Sequence, residues 1–316
     1  MAENKDEPNK LSSANDRFFK GLMGMKEVVK AYIQQFMRKD VLDKLDLDTL
    51  ELDNSSYITD ELSEFFSDMV WRCQYKRGGY TKISFLHEHK SYKPKYPHFQ
   101  LLDYIRNAWR MQTLSNGDPV LMIPIVLYHG LAPWKQESME SYFGDLEAEF
   151  LRYLPSFDFI FVNLQKYSDK QIREFDSIFL QKSLLAFKHH VDEVYLQEHI
   201  VALIFSGYPD EITEQMRSFM RMITVYLTAI SGMTSGEIKG KINESDNILK
   251  SKAMTIFDEV EQEGITQGIT QGIEKEKHNT IIRSWENGIA ISMISNITGV
   301  SVEQIEKVIA EFKSKS

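Results

Sequence analysis

The stretch DMVWRCQYKRGGYTKISFLHEHK, residues 68–90, sets two runs of branched and aromatic side chains on either side of Gly78-Gly79. Such runs about a Gly-Gly pair predict two antiparallel strands closed by a hairpin turn. The first strand carries Asp68 and the second ends in Leu86-His87-Glu88-His89-Lys90. An acid followed about twenty residues later by Glu-X-Lys is a pattern suited to a divalent cation, since Mg²⁺ takes oxygen ligands and keeps several waters. The bound ion lowers the pKa of its water and stabilises charge on a phosphoryl oxygen, the two needs of phosphodiester hydrolysis. In this reading Asp68 and Glu88 are metal ligands. The backbone carbonyl of His89 adds a third while its ring faces away, and Lys90 orients the nucleophile or stabilises the charge building on the phosphate.

The register of the hairpin is a sharp expectation, because a one-residue slip sends every side chain to the other face. A two-residue turn at Gly78-Gly79 pairs Arg77 with Tyr80 and sets Asp68 opposite His89, on the wrong face. A three-residue loop pairs Lys76 with Tyr80 and sets Asp68 opposite Glu88. A working site therefore requires the odd-numbered loop or an equivalent bulge. Glu88 and Lys90 share a face in either case.

With 316 residues, 42% of them apolar, the chain can bury one good core and a small second unit. The single cysteine, Cys73, excludes an internal disulfide and reads as a packed thiol within a strand. The N-terminal stretch has no apolar core of signal-peptide length, and nowhere do 18 apolar residues run without charge. A soluble cytoplasmic protein without a membrane partner is the expectation. The formal net charge of -9 argues against nucleic acid as a partner. Between Trp71 and Arg110, however, nine basic side chains face only two acids, Glu88 and Asp103. Lys76, Arg77, Lys93, Lys95 and Arg106 belong to this island and are the candidate contacts to a polyanion, DNA. The alternative is that these charges point several ways on a solvated hairpin.

Working outward, residues 1–12 read as disordered. Ser13 looks like the cap of a helical stretch over about 14–38, with Asp16 either a first-turn acid favoured by the helix dipole or an auxiliary acid near the metal. KLDLDTLEL, residues 44–52, suits a connector or short strand. Asp60, Glu61 and Glu64 are further acids on the approach to the site, and Glu61 is the auxiliary candidate among them. A helix is predicted over His98–Gln112, with Phe99, Leu102, Ile105 and Trp109 as its core stripe and Gln100, Tyr104 and Arg106 on other faces. Val120–Tyr128 and Phe157–Leu164 read as buried strands, and Asp169 to about Asn243 as helices. GITQGITQGI, residues 264–273, is either a flexible link or a helix with a glycine stripe. Three short helices follow over Ile281–Trp285, Ile289–Ile297 and Val302–Phe312, the last capped by Ser301 with Gln304. Their helix-turn-helix spacing would suit a DNA reader, but the balanced charge of residues 274–316 favours a small interaction or self-association unit.

Taken in order, NDRFFKGLM, LSEFFSDMVWRC, LHEHKS, FQLLDYIRNAW, IPIVLYHG and ISNITGVSVEQIEKV resemble the Rpn family of recombination-promoting nucleases, the YhgA-like transposases. The resemblance covers nearly the whole chain. It implies an α/β fold of the PD-(D/E)XK restriction-endonuclease-like class, a mixed central sheet flanked by helices with an all-helical C-terminal extension. It also implies Mg²⁺-dependent DNA endonuclease activity, with Mn²⁺ as substitute, linked to recombination, mobile elements or defence. On it Asp68 takes the place of the metal-binding Asp, Glu88 that of the second acid and Lys90 that of the final residue. Many relatives carry Gln at that last position, so Lys90 departs toward the general superfamily pattern. Gln100 falls where such folds send a polar helix residue toward the site. The expected organisation is a nuclease core over 13–168, a helical extension over 169–260, and a Gly-Ile linker with a small self-associating tail over 261–316. The rival reading keeps the fold without chemistry, as a catalytically silent DNA-binding or oligomerising component.

Overall fold

The computed structural model describes residues 7–53, 66–88, 95–114, 117–245, 247–286 and 289–315, some of them by backbone alone. It divides into two compact units, Met1–Met254 and Thr255–Ser316. The first is built on a five-stranded mixed sheet in the order β1-β2-β3-β4-β5. Its strands are β1 (Leu45–Asp53), β2 (Phe66–Tyr75), β3 (Tyr80–Glu88), β4 (Met122–Tyr128) and β5 (Ile160–Asn163). The pairs β1-β2 and β2-β3 are antiparallel, whereas β3-β4 and β4-β5 are parallel. Parallel neighbours need crossovers, and the crossover from β3 to β4 is the helix α4 (Pro97–Leu114).

Each face of the sheet is covered by a different set of helices. On one lie α1 (Glu7–Met23) and α2 (Lys26–Phe36), where Trp71 Nε1 donates to the Met23 carbonyl (2.8 Å) and Tyr32 meets Phe85 edge-on at 5.5 Å. The short α3 (Lys39–Leu42) leads into β1. On the other face α4 packs Leu101, Tyr104, Ile105 and Ala108 against Val70, Leu86, Met122 and Val126. Alternation along the strands makes this division: Val70 and Leu86 take one face, Trp71 and Phe85 the other.

Three expectations are corrected here. Helix α1 begins at Glu7, so Ser13 lies inside it and is no cap; Pro8 fits a first turn, whose amides need no partner along the chain. The buried stripe of α4 is also rotated from the expected one. Tyr104 is fully buried, while Phe99 and Trp109 are each 39% exposed. Tyr104 can turn inward because its hydroxyl finds polar partners there. Trp109 stays near the surface, where its Nε1 donates to the Val120 carbonyl (2.9 Å). Strand β5 is shorter than Phe157–Leu164, because Asn163 turns to cap the following 3-10 turn, accepting from the Gln165 amide (3.0 Å). At the end of β4, Tyr128 folds its ring over Gly130 and donates to the Ala132 carbonyl (2.8 Å). A Cβ at position 130 would lie 2.6 Å from the Tyr128 hydroxyl oxygen, so the turn requires glycine.

Helices α5 (Ala148–Leu151), α6 (Asp169–Arg173), α7 (Ile178–Lys188), α8 (Glu193–Phe205), α9 (Glu214–Ile230) and α10 (Ser235–Asn243) complete this unit. Side chains of Ser168, Ser177, Asp192, Thr213 and Thr234 cap α6 through α10 in turn. Helix α9 ties back to α1 through Tyr226, which stacks on Phe18 at 4.2 Å and donates to Asn15 Oδ1 (2.7 Å).

Helix α11 (Asn247–Glu286) runs unbroken through residues 264–273, so the repeat there is helix rather than flexible link. In the second unit, α12 (Ile291–Thr298) and α13 (Val302–Lys315) close a small core of Ile281, Ile294, Ile305 and Ile309. The expected cap of α13 is present, Ser301 and Gln304 bonding each other's backbone amides at 3.3 Å. Among the described residues no helix is long and apolar enough to cross a membrane.

Candidate active site

The β2-β3 ladder pairs Asp68 with Leu86 and Phe66 with Glu88, and its last bridge is Gln74 with Tyr80. Five residues, Tyr75 to Gly79, therefore separate the final pair, and the three-residue loop with Asp68 directly opposite Glu88 is not what forms. The cause is local. Lys76 cannot pair with Tyr80 because its amide is taken by the Lys44 carbonyl (2.9 Å), and Gly78 and Gly79 both adopt positive φ, 91° and 81°. The loop remains odd in length. A two-residue shift preserves the face of every position, so positions 68, 86 and 88 keep the same parity, with Asp68 two pairs along from position 88.

Asp68 is 8% exposed, and the Tyr104 hydroxyl donates to its Oδ2 at 3.0 Å. Behind Tyr104, the Ser84 hydroxyl shares a short hydrogen bond with the same phenol oxygen. Three residues from three elements thus form a relay, Ser84 on β3, Tyr104 on α4 and Asp68 on β2. A buried carboxylate is tolerable only with such donors. Gln100 lies one turn before Tyr104 on α4, and its Oε1 is buried without a hydrogen-bond partner. Neither Tyr104 nor Ser84 was singled out by sequence. The signal that could have found them is spacing, since Tyr104 is four residues from Gln100 and Ser84 shares the strand parity of Glu88.

Other candidates are distributed differently. The Glu88 side chain, His89, Lys90, Glu61 and Lys93 lie outside the described residues. Asp16 sits on α1, over the opposite face from α4; its Oδ2 pairs with Lys20 (3.0 Å), while Oδ1 is buried with no hydrogen-bond partner. Lys76 and Arg77 occupy the hairpin turn, at the far end of β2 from Asp68, roughly 23 Å away at the ordinary strand rise. Lys95 lies just before α4 with its ammonium 4.9 Å from the Tyr96 ring centroid, and Arg106 pairs with Asp103 at 3.5 Å on the exposed side of that helix. Among the described residues, the members of the basic island are not gathered about Asp68. Arg72 pairs with Glu51 (3.2 Å), and the buried Lys82 pairs with Asp53 (2.6 Å). Sequence reading missed that last ion pair because β1 brings Asp53 alongside only through its register with Val70.

Among the described residues, no group of three or more His, Cys, Asp or Glu side chains is placed to hold a metal ion. What the described part provides is one oriented carboxylate, an unsatisfied amide oxygen one helical turn from its phenol partner, and a strand position for a second acid on the same face.

A fold with this mixed sheet and a buried strand acid has a family to which it can be referred. The chain belongs to the family described as "Putative transposase, YhgA-like", whose profile matches residues 13–215. It is 24% identical over 298 residues to the recombination-promoting nuclease RpnA of Escherichia coli (strain K12), covering 93% of this chain and 96% of that protein. It is equally 24% identical, over 281 residues, to the inactive recombination-promoting nuclease-like protein RpnE of the same strain, covering 88% and 91%. A recombination-promoting nuclease of Escherichia coli O157:H7, RpnD, is 28% identical over 131 residues, 39% of this chain and 49% of that protein. No solved structure matches the chain.

Proposed function

We propose that this protein is a metal-dependent DNA endonuclease of the PD-(D/E)XK class, acting in recombination or on mobile elements. The observation that carries the reading is the hairpin. Asp68 is buried and oriented by Tyr104, and the odd loop keeps position 88 on its face. A relative named as a recombination-promoting nuclease, matched over 93% of this chain, supports nuclease activity.

The residues fit a hard divalent cation. Asp68 and Glu88, with the His89 carbonyl, would supply an all-oxygen donor set of the kind Mg²⁺ or Mn²⁺ takes. The buried Gln100 Oε1 lacks a donor, as an acceptor reserved for a metal-bound water would. When bound, the ion supplies an ionised water at neutral pH and neutralises charge on the phosphate. Tyr104 and Ser84 hold the Asp68 carboxylate in one orientation, and Lys90 orients the attacking water or stabilises the phosphate. Glu61 is the auxiliary acid in this scheme; Asp16, on α1 over the opposite face of the sheet, has no part in it.

Lys95 lies just before α4, the helix that carries Gln100 and Tyr104, and with Lys93, two residues earlier in sequence, would meet the phosphates nearest the cut. Lys76 and Arg77, roughly 23 Å along the strand, would meet the same duplex about seven base-pair steps away. Arg106 is a further contact. In the tail, the exposed apolar side chains Met293, Ile297 and Val302 offer a surface for self-association. Deleting 261–316 should then lower the oligomeric mass.

Purified protein should nick or linearise plasmid DNA with Mg²⁺ or Mn²⁺, chelator should stop it, and Asp68→Ala, Glu88→Ala and Lys90→Ala should each abolish it. Equal cleavage by wild type and all three variants would point to a contaminating nuclease and remove the assignment. A second reading, binding without cleavage, is favoured by one specific observation: a relative equally similar over most of its length is named inactive. It gains if the wild type binds DNA and leaves it intact with either metal.

A further inference from the structure

Away from the sheet, helices α6, α7 and α8 enclose a cleft of about 410 Å³ whose polar lining includes Arg173, Asp176, Lys182, His199 and Ser206. Lys182 is only 6% exposed. Its ammonium donates to the Ala202 (2.7 Å) and Leu203 (3.0 Å) carbonyls at the end of α8, and stands 5.0 Å from the Tyr208 ring centroid. Those bonds account for two of its three protons. Arg173 donates to the Tyr195 hydroxyl (3.1 Å), and His199 Nδ1 donates to the Tyr195 carbonyl (2.9 Å), which leaves Nε2 as its second polar atom. Among the described residues neither Lys182 nor Arg173 forms an ion pair.

Burial of one cation beside another with no counter-ion is costly, and proteins ordinarily compensate it. Desolvation, and after it the charge of Arg173, lowers the Lys182 pKa to about 7. Asp176 and Arg173 both lie on the lining and are both exposed, so Lys182 is the charged group of the cleft that is taken out of water. A further polar group beside Lys182 is unsatisfied, since the Tyr208 hydroxyl is buried without a hydrogen-bond partner. Two cations and an imidazole line a space large enough for a small molecule.

We propose that this cleft binds a small oxyanion, a phosphate or carboxylate group, between Arg173, Lys182 and His199. The guanidinium fork suits either group. The site is distinct from the Asp68 hairpin and does not depend on what that hairpin does.

The test is a titration of the full-length protein with inorganic phosphate, and in parallel with acetate, against chloride at matched ionic strength. Chelator is present throughout, so that no metal-held phosphate at the hairpin is counted. Saturable binding is expected for at least one of the two anions, with the ring-nitrogen NMR signals of His199 shifting along the same isotherm. Arg173→Gln, at an exposed position that should fold normally, should weaken that binding about tenfold or more. Lys182→Met should do likewise, if it folds. The two anions separate the sources: phosphate alone assigns a phosphate site, acetate alone or both a carboxylate-accepting one. Neither anion exceeding chloride, or binding that Arg173→Gln leaves unchanged, overturns the proposal.

Discussion

Asp68 and Lys182 are both ionisable groups taken almost wholly out of water, and they are accommodated in opposite ways. Asp68 receives a proton donor from Tyr104, itself backed by Ser84, and sits beside a strand position that carries a second acid. Lys182 gives its protons to two carbonyls at the end of a helix and has another cation, Arg173, as its charged neighbour. One group is oriented by hydroxyls on neighbouring elements, the other caps a helix while its charge stays unmatched. Burial alone therefore says little about role; what differs is whether the polar partners complete the group or leave it wanting a ligand.

That contrast can be broken at either end. The largest effect is expected at the acid. Asp68→Asn should lower the plasmid cleavage rate by roughly a hundred- to a thousandfold, the scale on which a group stabilising transition-state charge is lost, with the circular dichroism spectrum unchanged. A variant cutting within a factor of two of wild type would remove Asp68 from the chemistry.

The next effect belongs to Lys182. Its folded-state pKa is about 7, below the ordinary 10.5, so between those values the unfolded chain binds more protons than the folded one. Stability should therefore rise with pH across about 7 to 10.5, by a few kcal/mol for a group this buried. Urea denaturation should show that rise in wild type and a flatter curve in Lys182→Met. Parallel curves would mean that Lys182 is not held in the desolvated state argued for it.

A smaller loss is expected for Tyr104→Phe, which strips the hydroxyl from both Asp68 and Ser84. The cost should be about 1–3 kcal/mol in urea denaturation, with slower cleavage because the carboxylate loses its orientation. Smallest of all, Ser84→Ala leaves the Tyr104-Asp68 bond in place and should cost about 1 kcal/mol or less. If Ser84→Ala proved as damaging as Tyr104→Phe, the serine would be contacting Asp68 or its ligands directly.

Much of the fold was legible because it rests on local pattern. The hairpin about Gly78-Gly79, the buried run of β4 and the Ser301 cap follow from turn chemistry and periodicity that neighbours do not override. The failures have tertiary causes. Apolar spacing alone points Phe99 and Trp109 of α4 inward; Tyr104 is buried instead because Asp68 and Ser84 receive its hydroxyl. The hairpin loop was misjudged by two residues because the Lys76 amide goes to Lys44, a bond no local rule anticipates. The nine-cation island was real in sequence, yet those of its members that lie among the described residues are spread over the turn, a buried pair with Asp53 and the outer side of α4. Lys182 gave no sequence signal at all, since its partners Ala202 and Leu203 contribute only backbone.

The proposed nuclease reaction requires that Asp68 and Glu88 together hold a divalent cation. Calorimetric titration of the protein with Mn²⁺ tests this most directly, comparing wild type with Asp68→Asn and Glu88→Gln, each checked for folding. Saturable binding in wild type, lost in both variants, is the expected result. Undiminished Mn²⁺ binding in the two variants, or none in the wild type with DNA present, would contradict it.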